Sequence, residues 1–216
     1  MKNYDVILFD LDGTLTDSSS GIINSIIYAL KKYGIEVDHT VELRKFLGPP
    51  LHESFKEFYG FDEVKAMEAV AFYREYFSTK GLLENQIYQD IPQLLKALVD
   101  NGKRLILATS KPQQFTDRIM EHFDLVNYFE FIAGSNMDGT RSNKAEVIEY
   151  ALQQCGIKDK SKAVMVGDRK HDIIGAKTVG IDSIGVEYGY SDYDELNNAG
   201  ATFIAKTVDE LKELIV

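Results

Sequence analysis

The chain has 216 residues, 44% of them hydrophobic and 27% charged, which is enough apolar material for a sizeable core and excludes disorder as its overall state. With 24 basic and 34 acidic residues the formal charge is −10, which excludes a general binder of nucleic acid polymers and argues against an anionic membrane surface, but leaves open a small phosphorylated ligand that needs only local positive charge. The single cysteine, Cys155, excludes an intrachain disulfide framework.

The N-terminus, MKNYDVILFDLDG, carries no cleavage signature, and no stretch approaches the roughly 18 apolar residues of a membrane span. A soluble cytoplasmic protein is therefore expected. Tyr4–Leu11 (YDVILFDL) is a short apolar run ended by Asp-Gly-Thr, the pattern of a buried parallel strand. Similar runs follow at Arg104–Ser110, Phe129–Gly134, Ala163–Asp168, Ser183–Val186 and Thr202–Ala205. Helical periodicity fills most gaps between them: Ile91–Asn101, Pro112–Phe123 with proline at its start, Lys144–Cys155 stopping at Gly156, and Val208–Val216. Alternating strands and helices predict an α/β fold, a doubly wound and mostly parallel sheet covered by helices.

About 90 residues separate the first strand from Arg104, far more than one crossover helix needs. The segment reads as helical, with one stripe at Ile22, Ile23, Ile26, Ile27 and Leu30 and others from Phe55, Phe58, Val64, Met67, Val70, Ala71 and Phe77. This predicts a helical insert over residues 18–81 in a core formed by 1–17 and 82–216, with hinges at Thr16–Ser20 and Gly81–Gln86.

Asp10 and Asp12 flank Leu11 at the end of the first strand, where ligands of open α/β sheets bind. Asp10, ionised at neutral pH, suits a nucleophile towards phosphorus, and Asp12 suits the acid and base. Gly13 lets backbone amides approach an anion. A strand-end turn stabilised by local hydrogen bonds is the alternative. Asp168 and Asp172, in Gly-Asp-Arg-Lys-His-Asp after another strand, face each other if a helix starts there and suit Mg²⁺; a solvated helix start is the alternative. Thr109 and Ser110 offer hydroxyls to a phosphate oxygen, or else serve as strand filler and helix cap. Lys144, at a helix start after the loop Gly134–Asn143, would neutralise a phosphoryl group, or else is a surface lysine. Together these residues supply what phosphoryl transfer requires, which is positioning and charge neutralisation. Cys155, His171 and the tyrosines Tyr188, Tyr190 and Tyr193 read as packing or surface residues.

In order and type, Asp10-Leu-Asp12-Gly-Thr, Thr109, Lys144 and Gly167-Asp168…Asp172 resemble the four motifs of the haloacid dehalogenase superfamily over essentially the whole chain, and the insert resembles its α-helical cap. The resemblance implies Asp10 as nucleophile and Asp12 as general acid/base. It implies Thr109, Lys144, Gly13 and Ser110 around the phosphoryl group, with Mg²⁺ held by Asp10, the Asp12 carbonyl, Asp168 and Asp172. An acid at Asp12 favours phosphatases and phosphomutases over the superfamily's dehalogenases, phosphonate hydrolases and ion pumps. DLDGTLTDS and Leu43–Leu51 are similar to phosphoglycolate phosphatases and 5′-nucleotidase-like members, although Ser110 stands where many of the former have Asn. Ala133–Lys144 is similar to a subgroup whose members are variously termed phosphatase, nucleotidase or tyrosine kinase.

The expectation is a Mg²⁺-dependent phosphatase of a small phosphorylated metabolite, working as a monomer or homodimer. A 5′-nucleotidase, a sugar phosphomutase of the β-phosphoglucomutase type and a non-catalytic regulatory module are the alternatives. Selectivity would come from the cap, where Arg44, Lys45 and Arg74 are the cationic candidates.

Overall fold

The computed structural model describes residues 2–37 and 40–216. The first strand, β1 (Val6–Phe9), is buried at every position, as expected of a branched and aromatic run that must be covered on both faces. Asp10 continues its ladder, with the backbone N–H donating to the Val166 carbonyl at 2.9 Å. The chain then turns at Leu11, whose carbonyl accepts from the N–H groups of Leu15 at 2.9 Å and Thr16 at 3.1 Å. The apolar run predicts a longer strand than this, because buried Tyr4 and Leu11 flank the ladder without extending it.

Beyond β2 (Thr16–Asp17) and β3 (Gln86–Ile87), the core alternates α4 (Ile91–Asp100), β4 (Arg104–Pro112), α5 (Gln113–His122), β5 (Phe131–Ser135), α6 (Lys144–Gln154), β6 (Ala163–Gly167), α7 (Lys170–Val179), β7 (Asp182–Val186), α8 (Glu195–Ala199), β8 (Phe203–Ala205) and α9 (Val208–Ile215). The helices α1 (Ser19–Lys31), α2 (Leu51–Tyr59) and α3 (Glu63–Tyr76) belong to the insert described below. The six main strands form one sheet in the order β5-β4-β1-β6-β7-β8, with every neighbouring pair parallel. Strands are first added on the β4 side of β1 and then on its β6 side, so the order reverses at β1, where open α/β sheets hold their ligands.

Alternation sorts the core. Val6, Leu8, Ile106, Ala108, Ala163 and Met165 pack against Val147, Ile148, Ala151 and Leu152 of α6 and Ala176 of α7. Ile7 and Phe9 point to the opposite face and are equally buried. Proline at the start of a periodic run predicts a helix from Pro112, but Pro112 is extended (φ −56°, ψ 134°) and ends β4, and α5 begins at Gln113. A register shift against β5 between Ala108 and Pro112 carries the strand past Thr109.

The chain divides into two compact units, residues 1–16 with 87–216, and residues 17–86. Strands β2 and β3, at the two crossings, pair in a separate two-stranded sheet. The second unit is helical: α1 (Ser19–Lys31), a 3-10 segment (Thr40–Phe46), α2 (Leu51–Tyr59) and α3 (Glu63–Tyr76), which runs into a π-helical turn (Phe77–Gly81). Ile22, Ile26 and Leu30 bury the α1 stripe. Phe46 anchors an aromatic cluster, its ring centroid 5.2 Å from both Phe55 and Phe58. On α3 and the turn after it the expected apolar face is borne out at Val70 and Phe77 and wrong at Val64, Met67 and Ala71. Val64 is 81% and Met67 53% exposed, whereas Ala66, Ala69, Val70, Tyr73 and then Phe77 turn inward. Two alanines on that face let the helix approach its neighbours closely, which a count of large side chains does not register. Among the described residues no helix is long and apolar enough to cross a membrane.

Candidate active site

Because every main strand is parallel, β1, β4 and β6 end on one rim, and the residues that follow them converge there. Asp10 follows β1. Lys144, which opens α6 behind an Asn143 cap accepting from Ala145 N–H at 2.9 Å, reaches back with Nζ 2.8 Å from Asp10 Oδ1 and 2.8 Å from Asp172 Oδ1, and donates to the Ala108 carbonyl at 3.1 Å. It is 5% exposed, so the surface-lysine alternative falls. Thr109, also buried, lies near enough to Asp10 to favour its carboxylate, and its hydroxyl accepts from Lys111 N–H at 3.3 Å. Ser110 is partly buried at the register shift.

Asp168 follows β6 and is fully buried; Oδ1 accepts from the Thr14 hydroxyl at 3.2 Å and Oδ2 from Tyr190 N–H at 2.8 Å. Asp172 lies in the first turn of α7, where its Oδ2 accepts from Arg169 N–H at 3.1 Å as a helix cap, leaving Oδ1 turned to Lys144. The packing is tight enough to require glycine. A β-carbon on Gly13 (φ +80°) would strike the Asp168 carboxylate, and one on Gly167 would strike that of Asp172.

One oxygen each from Asp10, Asp168 and Asp172 can be chosen so that all three lie within 4.8 Å of one another. Burial pushes the Asp10 carboxyl up to about 6; Lys144 opposes the rise and Asp172 adds to it. Burial also holds Asp168 well above the usual carboxylate range, reinforced by Asp172 and Asp10. For Lys144 burial works against the charge, but Asp10 and Asp172 outweigh it and raise the ammonium's affinity for its proton. The three clustered carboxylates thus share one buried ammonium, which pairs with Asp10 and Asp172. Asp10 Oδ1 and Asp172 Oδ1 have the ion-pair distance to Lys144 but no aligned hydrogen bond. A hard divalent cation with oxygen ligands fits both the charge deficit and the donor set.

The structure adds residues that sequence reasoning missed. Lys111 Nζ lies 2.5 Å from Asp12 Oδ2, and the Lys111 side chain is only 7% exposed. Its signal was present, since alternate strand residues share a face and Lys111 is two beyond Thr109. The segment after β7 also enters the site: Tyr190 binds Asp168, and the Tyr188 hydroxyl donates to the Thr14 carbonyl at 3.1 Å. That pair of tyrosines is therefore part of the site's support rather than surface filler, while Tyr193 is 95% exposed. His171 is exposed, and Cys155 packs half-buried beside the core, consistent with their bland readings. In the helical unit Arg44 and Lys45 are exposed, Lys45 with Nζ 4.3 Å from the Phe58 ring centre, and Arg74 is partly buried on α3.

This doubly wound sheet, with an acidic cluster and a buried lysine at its switch point, has the α/β architecture that binds ligands at the carboxyl ends of its strands. The model of the haloacid dehalogenase-like hydrolases matches residues 7–186, and the chain belongs to that family. It is 44% identical over 212 residues, 98% of this chain and 96% of the other, to a 5′-nucleotidase of Pseudomonas aeruginosa. It is 40% identical over 212 residues to the tyrosine-protein kinase PtkA of Mycobacterium tuberculosis, covering 97% of this chain and 72% of that one. The crystal structure of a predicted phosphatase from Clostridium acetobutylicum superposes with a TM-score of 0.94 at 50% identity, covering 98% of each chain. The chain is accordingly an enzyme of the family's phosphatase group.

Proposed function

We propose that the protein is a Mg²⁺-dependent phosphatase that cleaves a small phosphomonoester through an aspartyl-phosphate on Asp10. The observation carrying this reading is the convergence of Asp10, Thr109, Lys144, Asp168 and Asp172, from separate segments, on one rim. Asp10, the Asp12 carbonyl, Asp168 and Asp172 would hold Mg²⁺, which when bound screens the charge between phosphoryl oxygens and carboxylates.

An Asp10 carboxylate oxygen attacks phosphorus, the bond to the ester oxygen breaks, and protonated Asp12 gives its proton to that leaving oxygen. Asp12 then takes a proton from water as the water attacks phosphorus; the bond to Asp10 breaks and inorganic phosphate leaves. Thr109, Ser110, Lys144 and the Gly13 backbone hold the phosphoryl oxygens, and Lys144 offsets the charge that builds on them. This core reads only the phosphoryl group, so selectivity falls to the helical unit, with exposed Arg44 and Lys45 and with Arg74 as its cationic candidates.

Nucleoside monophosphates and phosphoglycolate head the substrate classes, because relatives bear the names 5′-nucleotidase and phosphoglycolate phosphatase. The single cysteine, which precludes a disulfide within the chain, fits a reducing, cytoplasmic setting.

Phosphate release across nucleoside monophosphates, phosphoglycolate and sugar phosphates, with Mg²⁺ and with EDTA, tests the reading. Turnover should require Mg²⁺ and fall roughly 10³-fold or more in Asp10→Asn. Full turnover in that variant would overturn it. Sugar phosphate isomerisation outrunning phosphate release would replace hydrolysis by mutase chemistry.

A further inference from the structure

We infer that the segment Tyr188–Glu195 is a clamp for the acidic pair and that Glu195 is a positioning residue which sets cation affinity there. The inference rests on the reading above that Asp168 and Asp172 hold Mg²⁺.

Five hydrogen bonds and one close approach carry it. Tyr190 N–H donates to Asp168 Oδ2 at 2.8 Å. The Tyr188 hydroxyl donates to the Thr14 carbonyl at 3.1 Å, and the Thr14 hydroxyl donates to Asp168 Oδ1 at 3.2 Å. Gly189 lies so close that a β-carbon there would strike both the Gly13 carbonyl and Asp168. Glu195 Oε1 accepts from Arg169 Nε at 2.9 Å and from Lys170 N–H at 2.7 Å, with the Glu195 side chain only 9% exposed.

The last contact falls between the two acids. Arg169 is next to Asp168, and its backbone N–H caps onto Asp172, so Glu195 fixes the short stretch that sets the distance between the two carboxylates. It also pairs with the guanidinium of Arg169 next to Asp168, offsetting a positive charge that would oppose a cation held there. The clamp therefore acts on the cation seat twice, by geometry and by offsetting that positive charge. Partners that orient ligating carboxylates without touching the metal commonly change affinity 10–100-fold when removed.

Isothermal titration of Mg²⁺ into the metal-stripped protein reads this directly, without substrate. Glu195→Ala should weaken the Mg²⁺ Kd about tenfold or more. Glu195→Gln, which keeps an acceptor but loses the charge, should fall between it and the unaltered protein. Tyr188→Phe, which removes only the bond to Thr14, should weaken binding by a smaller factor and serves if Glu195→Ala does not fold. Asp182→Asn, which loosens the Lys2 and Tyr4 contacts at the start of β7, should lower the melting temperature and leave Kd unchanged. Unaltered Kd in Glu195→Ala, or in Tyr188→Phe where the former does not fold, would overturn the clamp while leaving the phosphatase reading intact. A weakening in Asp182→Asn as large as in Glu195→Ala would also overturn it, by showing a general effect of destabilisation. No Mg²⁺ binding by the unaltered protein would overturn both.

Discussion

Replacing Lys144 with Met keeps an aliphatic stem in the same channel, where the lysine Cγ already lies 2.9 Å from the position a β-carbon would take on Gly175, and removes only the charge. Asp10 and Asp172 each lose a cation 2.8 Å away, at a site where the lysine is 5% exposed. Removing one partner of a buried ion pair costs about 3–5 kcal/mol, because the charge left behind stays out of water. For a chain of this size each kcal/mol moves the melting point by about 2–4 °C, so Lys144→Met should melt roughly 6–20 °C lower in EDTA. Lowering the pH should close that gap. The Asp10 carboxyl is raised from 3.8 to about 6 in the fold, by burial first, with Lys144 opposing. It therefore binds a proton more readily folded than unfolded, and its burden on stability is present above about pH 6 and gone below about pH 4. Without Lys144 the folded value rises further, so protonation relieves the variant sooner than the parent. Circular-dichroism melts of both proteins at pH 7 and pH 5 in EDTA provide the assay. A variant melting within about 2 °C of the parent at pH 7, or a gap that widens at pH 5, would refute the reasoning.

Other outcomes follow from the same geometry. Lys111→Ala removes the ammonium 2.5 Å from Asp12 Oδ2 and should lower kcat about 10²-fold with a smaller change in KM, read from steady-state kinetics. Gly13→Ala places a β-carbon against the Asp168 carboxylate at a left-handed φ of +80°, so the variant should lose about 1–3 kcal/mol in denaturant titration together with its Mg²⁺ response. Glu195 sits below its usual 4.5 even though burial pushes the other way, because the Arg169 and Lys170 hydrogen bonds favour the carboxylate. Its stabilisation is present above about 4.5 and lost as pH falls through the folded value, so Glu195→Gln should flatten that part of the acid-denaturation curve.

The strands, the helical insert and the rim residues Asp10, Thr109, Lys144, Asp168 and Asp172 were legible in the chain itself. Buried parallel strands must be continuous apolar runs, and their carboxyl ends must be punctuated by turn residues, so backbone repeat and punctuation together point to the rim. The limits of the same signals show at Pro112, where a register shift holds in the strand a residue that local preference assigns to a helix. They show again at α3, where close packing through Ala66 and Ala69 turns Val64 and Met67 outward. Periodicity reports which residues share a face, not which face is covered. Only the tertiary structure decided that Lys111 meets Asp12 across 99 positions of chain, and that Tyr188, Tyr190 and Glu195 brace the acidic loop from a different strand. Those partnerships are set by which strands the sheet makes neighbours; alternation puts Lys111 on the face of Thr109, but no local pattern says what it meets there.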